Sequence, residues 1–112
     1  MLALSLPQPA CAEADWDALL DKATRAMSDC FVDAMDPSAK FGLTREQYAD
    51  ALLTVCKKHI EVWSQAFYGL GKSKGWSDDE AKEKIQSTLY GNVSGTAIIY
   101  DAVPKKGKGK RH

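Results

Sequence analysis

Two cysteines face inward on consecutive amphipathic segments, and this pair limits the fold more than any other feature of the chain. Cys30 lies on the apolar face of a segment beginning at Trp16, and Cys56 on that of a segment beginning near Thr44. A bridge between them would hold two helices side by side. A third cysteine, Cys11, sits in the triplet Ala10-Cys11-Ala12. Small residues at −3 and −1 before Glu13 suit signal peptidase. Cleavage there would remove Cys11 and leave an even pair.

The segments themselves read as helices. Trp16, Leu19, Leu20, Ala23, Met27, Cys30, Phe31 and Ala34 recur at the spacing of one helical face. Asp15 is placed to cap the start. Pro37 is expected to end this helix, because Asp36 before it is pushed out of the α region. Thr44-Arg45-Glu46-Gln47 reads as a capping box that opens a second helix. Its apolar positions, from Tyr48 through Leu70 and including Cys56 and His59, cover an arc of roughly 200°. That arc is too wide for one neighbour, so this helix should be central. Gly69 and Gly71 are expected to cap its end. Ser77 and Glu80 mark a third helical start, with Trp76 stapled onto Ala81. Ala81, Ile85, Leu89, Val93 and Tyr100 keep the helical period. Two glycines, Gly91 and Gly95, cost about 1 kcal/mol each against alanine. Thr96–Tyr100 is strand-like in composition, yet a lone strand would have no partner. A continuing helix is expected, with Ser87, Gly91 and Gly95 allowing close approach to a neighbour.

The expected fold is therefore all-α, a three-helix up-down-up bundle whose first two helices form a hairpin stapled by Cys30 and Cys56. Residues Pro37–Leu43 are long enough to bring the cysteines level at about 3.3 Å per residue. The bridge would close a loop of about 25 residues and stabilise by about 3 kcal/mol. Two buried free thiols are the competing reading.

Residues 1–12 read as the remnant of a secretory signal, 13–103 as the helical domain and 104–112 as a disordered basic tail. The positive start usual in a signal is missing, and the apolar stretch Leu2–Leu6 is short. A lipid anchor on Cys11 is disfavoured by Gln8. The 112 residues suffice for one domain. An apolar fraction of 45% with 27% charged residues is that of a globular chain. No apolar run reaches the roughly 18 residues of a membrane span. The formal net charge of zero conceals a division. Five of the fifteen basic residues, Lys105, Lys106, Lys108, Lys110 and Arg111, lie in the tail. Residues 1–103 keep ten basic against fifteen acidic side chains, a net of −5.

Few residues suggest chemistry. His59 falls within the apolar arc one turn after Cys56, and with Cys30 the three could ligate a soft metal. A core histidine with one hydrogen bond is the plainer reading and is adopted here. Asp78-Asp79-Glu80 occupies the first turn of a helix, where acids are favoured electrostatically. Asp29 and Asp33 fall on a solvated face. Nucleophile-elbow, phosphate-loop and His-Glu-x-x-His patterns are absent from the sequence. The tail has charge enough for a polyanion but no aromatic residues for base stacking. The expectation is an exported, periplasmic or secreted, non-catalytic protein without a cofactor that binds a protein partner. Metal or small-ligand binding at His59 and polyanion binding by the tail are the alternatives. The sequence leaves self-association and the partner's identity open.

Overall fold

The computed structural model describes residues 15–105. Among them the chain is all-α, in five helical segments. These are α1 (Trp16–Asp33), α2 (Met35–Lys40), α3 (Arg45–Val55), α4 (Lys57–Ser73) and α5 (Asp78–Tyr100). The proposed signal segment 1–12, with Cys11, and the tail residues Lys106, Lys108, Lys110 and Arg111 lie outside the described residues.

Helix α1 packs along α4, and α5 packs on both α3 and α4. The α1 and α4 axes are opposed. Trp16, at the start of α1, lies on Gly69 near the end of α4, while Cys30 reaches Cys56 just before α4 begins. A single buried cluster joins the elements. Its fully buried members are Met27 and Phe31 of α1, Tyr48, Leu52 and Cys56 one turn apart, Trp63 of α4 and Tyr100 of α5. Tyr48 and Tyr100 stack with ring centres 4.2 Å apart and planes 8° from parallel. Each phenol also needs a partner when buried. Tyr48 donates to the Phe31 carbonyl at 2.7 Å, and Tyr100 donates to the Leu43 carbonyl at 2.7 Å. Burial first, and the neighbouring Tyr100 second, push the Tyr48 phenol up to about 12.

The second helical segment is one unit with a kink. Cys56 donates to the Leu52 carbonyl and accepts from the Ile60 amide, both at 2.9 Å, so helical bonding runs through it. Its backbone nonetheless leaves the α region at φ −103°, ψ 18°. The capping box at Thr44 is complete, with Thr44 accepting from the Gln47 amide and the Gln47 side chain accepting from the Thr44 amide.

Several sequence expectations need correction. Pro37 does not terminate α1. It sits in the first turn of α2, where its missing N–H is not needed by the helix. The expected loop from Pro37 is thus largely helical, closed by Gly42 at φ 70°. Gly69 and Gly71 do not cap α4, which continues to Ser73. The cap is Gly75 at φ 89°, with the Trp76 amide donating to the Gly71 carbonyl and the Gly75 amide to Lys72. Gly69 and Gly71 are small because aromatic rings cover them, Trp16 on the first and Trp76 on the second. Trp76 also lies beside Phe67. Helix α5 does run on through Tyr100, but among the described residues nothing lies within 4 Å of a Cβ added at Gly91 or Gly95.

The start of the basic tail is also corrected. Lys105 is only 9% exposed, with its ammonium 4.3 Å from the Tyr100 ring centre. It donates to the carbonyls of Tyr100, Asp101 and Val103 at 2.8, 3.2 and 2.7 Å. A cation against the last carbonyls of a helix is favoured by the helix dipole. The aromatic face adds a second attraction. Lys105 thus belongs to the fold, with its ammonium turned onto the end of α5.

Candidate functional site

The principal concavity is an apolar groove of about 700 Å³ between the second half of α1 and α3, closed at one end by α2 and the turn after it. Two stripes with one-turn spacing form its walls. Ala26 and Cys30 lie along α1 with Ala34 at its cap, and Ala51, Val55 and His59 lie along the kinked helix opposite. Phe41 stands at the rim with 83% of its surface exposed. The groove exists because α1 follows α4 rather than α3, so nothing among the described residues covers this edge of the apolar arc. Its volume is within the range of ligand pockets, but it is open along its length.

Of the cysteine pair, Cys30 lines this groove, whereas Cys56 is fully buried and does not. Cys30 and Cys56 are at disulfide distance, with Cα atoms 5.9 Å apart. Among the described residues no group of three His, Cys, Asp or Glu side chains is arranged to hold a metal ion.

His59 is not a packed core residue. It is exposed and lines the groove. Its position on the helical wheel is the one the sequence indicates, but among the described residues nothing covers it there. Asp29 and Asp33, one turn apart on α1, also line the groove. Neither takes part in any of the four ion pairs formed among the described residues, at Asp21, Asp36, Asp78 and Asp101.

A second polar cluster joins α4 to α5. The Asp78 carboxylate accepts from the Tyr68 hydroxyl at 2.8 Å and from the Lys72 ammonium at 3.0 Å. These bonds, Tyr68 first, hold the Asp78 carboxyl below its ordinary range. The bond to Asp78 in turn raises both Tyr68 and Lys72. All three are exposed, so the cluster is a surface fastening. Ser77 beside it accepts from the Glu80 amide and caps α5.

Sequence reasoning missed the groove residues Ala26, Phe41, Ala51 and Val55 as a site. The available signal was the 200° apolar arc, which exceeds what one neighbouring helix covers. No protein family, curated protein or solved structure matches the chain. Among the described residues, no helix is long and apolar enough to cross a membrane.

Proposed function

We propose that this is an exported, non-catalytic helical protein that receives a helical segment of a partner protein in the groove between α1 and α3. In this reading α1, the kinked α3–α4 unit and α5 are the three rods of an up-down-up bundle. A Cys30–Cys56 disulfide staples the first two. The observation that carries the proposal is the pair of facing stripes, Ala26-Cys30-Ala34 and Ala51-Val55-His59. Small and aliphatic side chains at one-turn spacing on two diverging helices form a slot suited to the apolar face of a third helix. Phe41 at the open rim supplies a large aromatic anchor of the kind enriched where proteins bind.

The test is titration with a fluorescent amphipathic peptide of about five helical turns carrying a leucine and alanine face. Saturable binding is expected, and Val55→Glu should abolish it while leaving the circular dichroism unchanged, because Val55 is exposed in the free protein. Absence of saturation, or binding indifferent to Val55→Glu, refutes the groove as the docking site. Export is tested separately by N-terminal sequencing of protein made in its own cells. A start at or near Glu13 is expected, and cytoplasmic protein retaining residues 1–12 would overturn it.

A further inference from the structure

We infer that the helix received by the groove carries basic side chains one turn apart, which pair with Asp29 and Asp33. This rests on the groove reading above and adds what the groove selects. The floor and walls are largely apolar and would accept many amphipathic helices alike. The charged side chains lining the groove offer a means of choosing among them. Two are the carboxylates Asp29 and Asp33, both from α1.

Their spacing is the first argument. Four residues along a helix rise about 6 Å. Two lysines or arginines at i and i+4 on a helix lying along α1 present their charges at that same interval. Arginine could also engage a carboxylate through two parallel N–H donors.

Their lack of partners is the second argument. Asp21, Asp36, Asp78 and Asp101 each have a cationic neighbour among the described residues, whereas Asp29 and Asp33 have none. The wider field has the same sign, since the described residues carry fourteen acidic and eleven basic side chains, Lys105 included, a net of −3. A basic helix would therefore be drawn to the groove, and an acidic one would be opposed before any apolar contact forms. Exposed pairs of this kind contribute modestly, so the carboxylates set preference while the apolar stripes supply most of the affinity.

The experiment uses the full chain and three synthetic peptides that share one leucine and alanine face. Their polar positions carry lysine, glutamine or glutamate. At low salt the lysine peptide should bind on the order of 5- to 20-fold tighter than the glutamine peptide. The glutamate peptide should bind more weakly than either. The preference should shrink at about 0.5 M salt. In the Asp29→Asn, Asp33→Asn double variant the lysine peptide should fall to the affinity of the glutamine peptide, whose own binding should hardly change. Equal binding of lysine and glutamine peptides to the wild type overturns the charge selection and leaves the groove reading intact. A lysine preference that survives in the double variant overturns it too, by assigning the preference to the general field of the acidic body. Failure of all three peptides to bind overturns both readings.

Discussion

Replacing Tyr48 with Phe removes one oxygen atom and little apolar surface, so it isolates the polar part of the buried centre. Below pH 9 the variant lacks the 2.7 Å hydrogen bond from Tyr48 to the Phe31 carbonyl. A buried bond of this type stabilises by about 1 kcal/mol. For a domain of this size that corresponds to a fall of roughly 4–8 °C in melting temperature. The alkaline limb runs the other way. The phenol titrates near 10.0 in the unfolded chain and at about 12 in the folded one. Between those values the unfolded state has released a proton that the native state still holds. Stability from this group is therefore whole below pH 10 and is lost as the pH rises through 12. The loss reaches about 1.4 kcal/mol near pH 11, and about 2.7 kcal/mol once both states have ionised. Tyr48→Phe has no such loss. Tyr100, also raised by burial and then by Asp101, remains in both proteins and largely cancels. Urea unfolding followed by far-UV circular dichroism should show the wild type ahead by about 1 kcal/mol near pH 8. The two should be level, or slightly reversed, near pH 11. An unchanged gap at both pH values would show that Tyr48 is not the buried titrating group, and the reasoning would fail.

Lys105→Ala should destabilise by about 1–2 kcal/mol through loss of the carbonyl cap and the Tyr100 contact, and a chain ending at Val103 should melt below one ending at Lys105. Gly91→Ala should raise stability by about 1 kcal/mol, since an added Cβ meets nothing within 4 Å, whereas Gly69→Ala should lower the melting temperature because its Cβ would collide with the Trp16 ring. Thermal melts of the two glycine variants in parallel check both signs. Denaturing, non-reducing thiol assay of exported protein should leave Cys30 and Cys56 unlabelled, and Cys30→Ser should cost roughly 2–4 kcal/mol. Full labelling of both thiols in that denaturing, non-reducing assay would refute the bridge.

The helices were legible because their signals are local. Thr44 to Gln47, Ser77 to Glu80 and the apolar spacing from Trp16 each act within a turn or two of the residues that display them. Cys30 and Cys56 were legible as neighbours because both sit on inward faces. What failed depended on which surface each face would meet. His59 points in the direction its periodicity indicates, but among the described residues no neighbour covers it there. Gly69 and Gly91 look alike in the sequence, yet one lies under a tryptophan and the other faces open space. The Lys105 cap was hidden because a lysine among lysines reads as solvated charge until the carbonyls it reaches are known.

The placement of the cysteine pair and of the two buried tyrosines has a mechanical consequence. Cys30 meets Cys56 at the kink, where α3 ends, and the eleven residues of α3 extend about 16 Å from that point. Toward its other end the Tyr48 hydroxyl holds the Phe31 carbonyl of α1, and the Tyr100 hydroxyl holds the Leu43 carbonyl just before α3 begins. Helix α3 is therefore supported at both ends, like a beam and not like a lever. A wall braced in this way keeps its distance from α1, so the slot beside it adapts to an occupant through the side chains at its edge, Phe41, Val55 and His59, while the backbone holds its place.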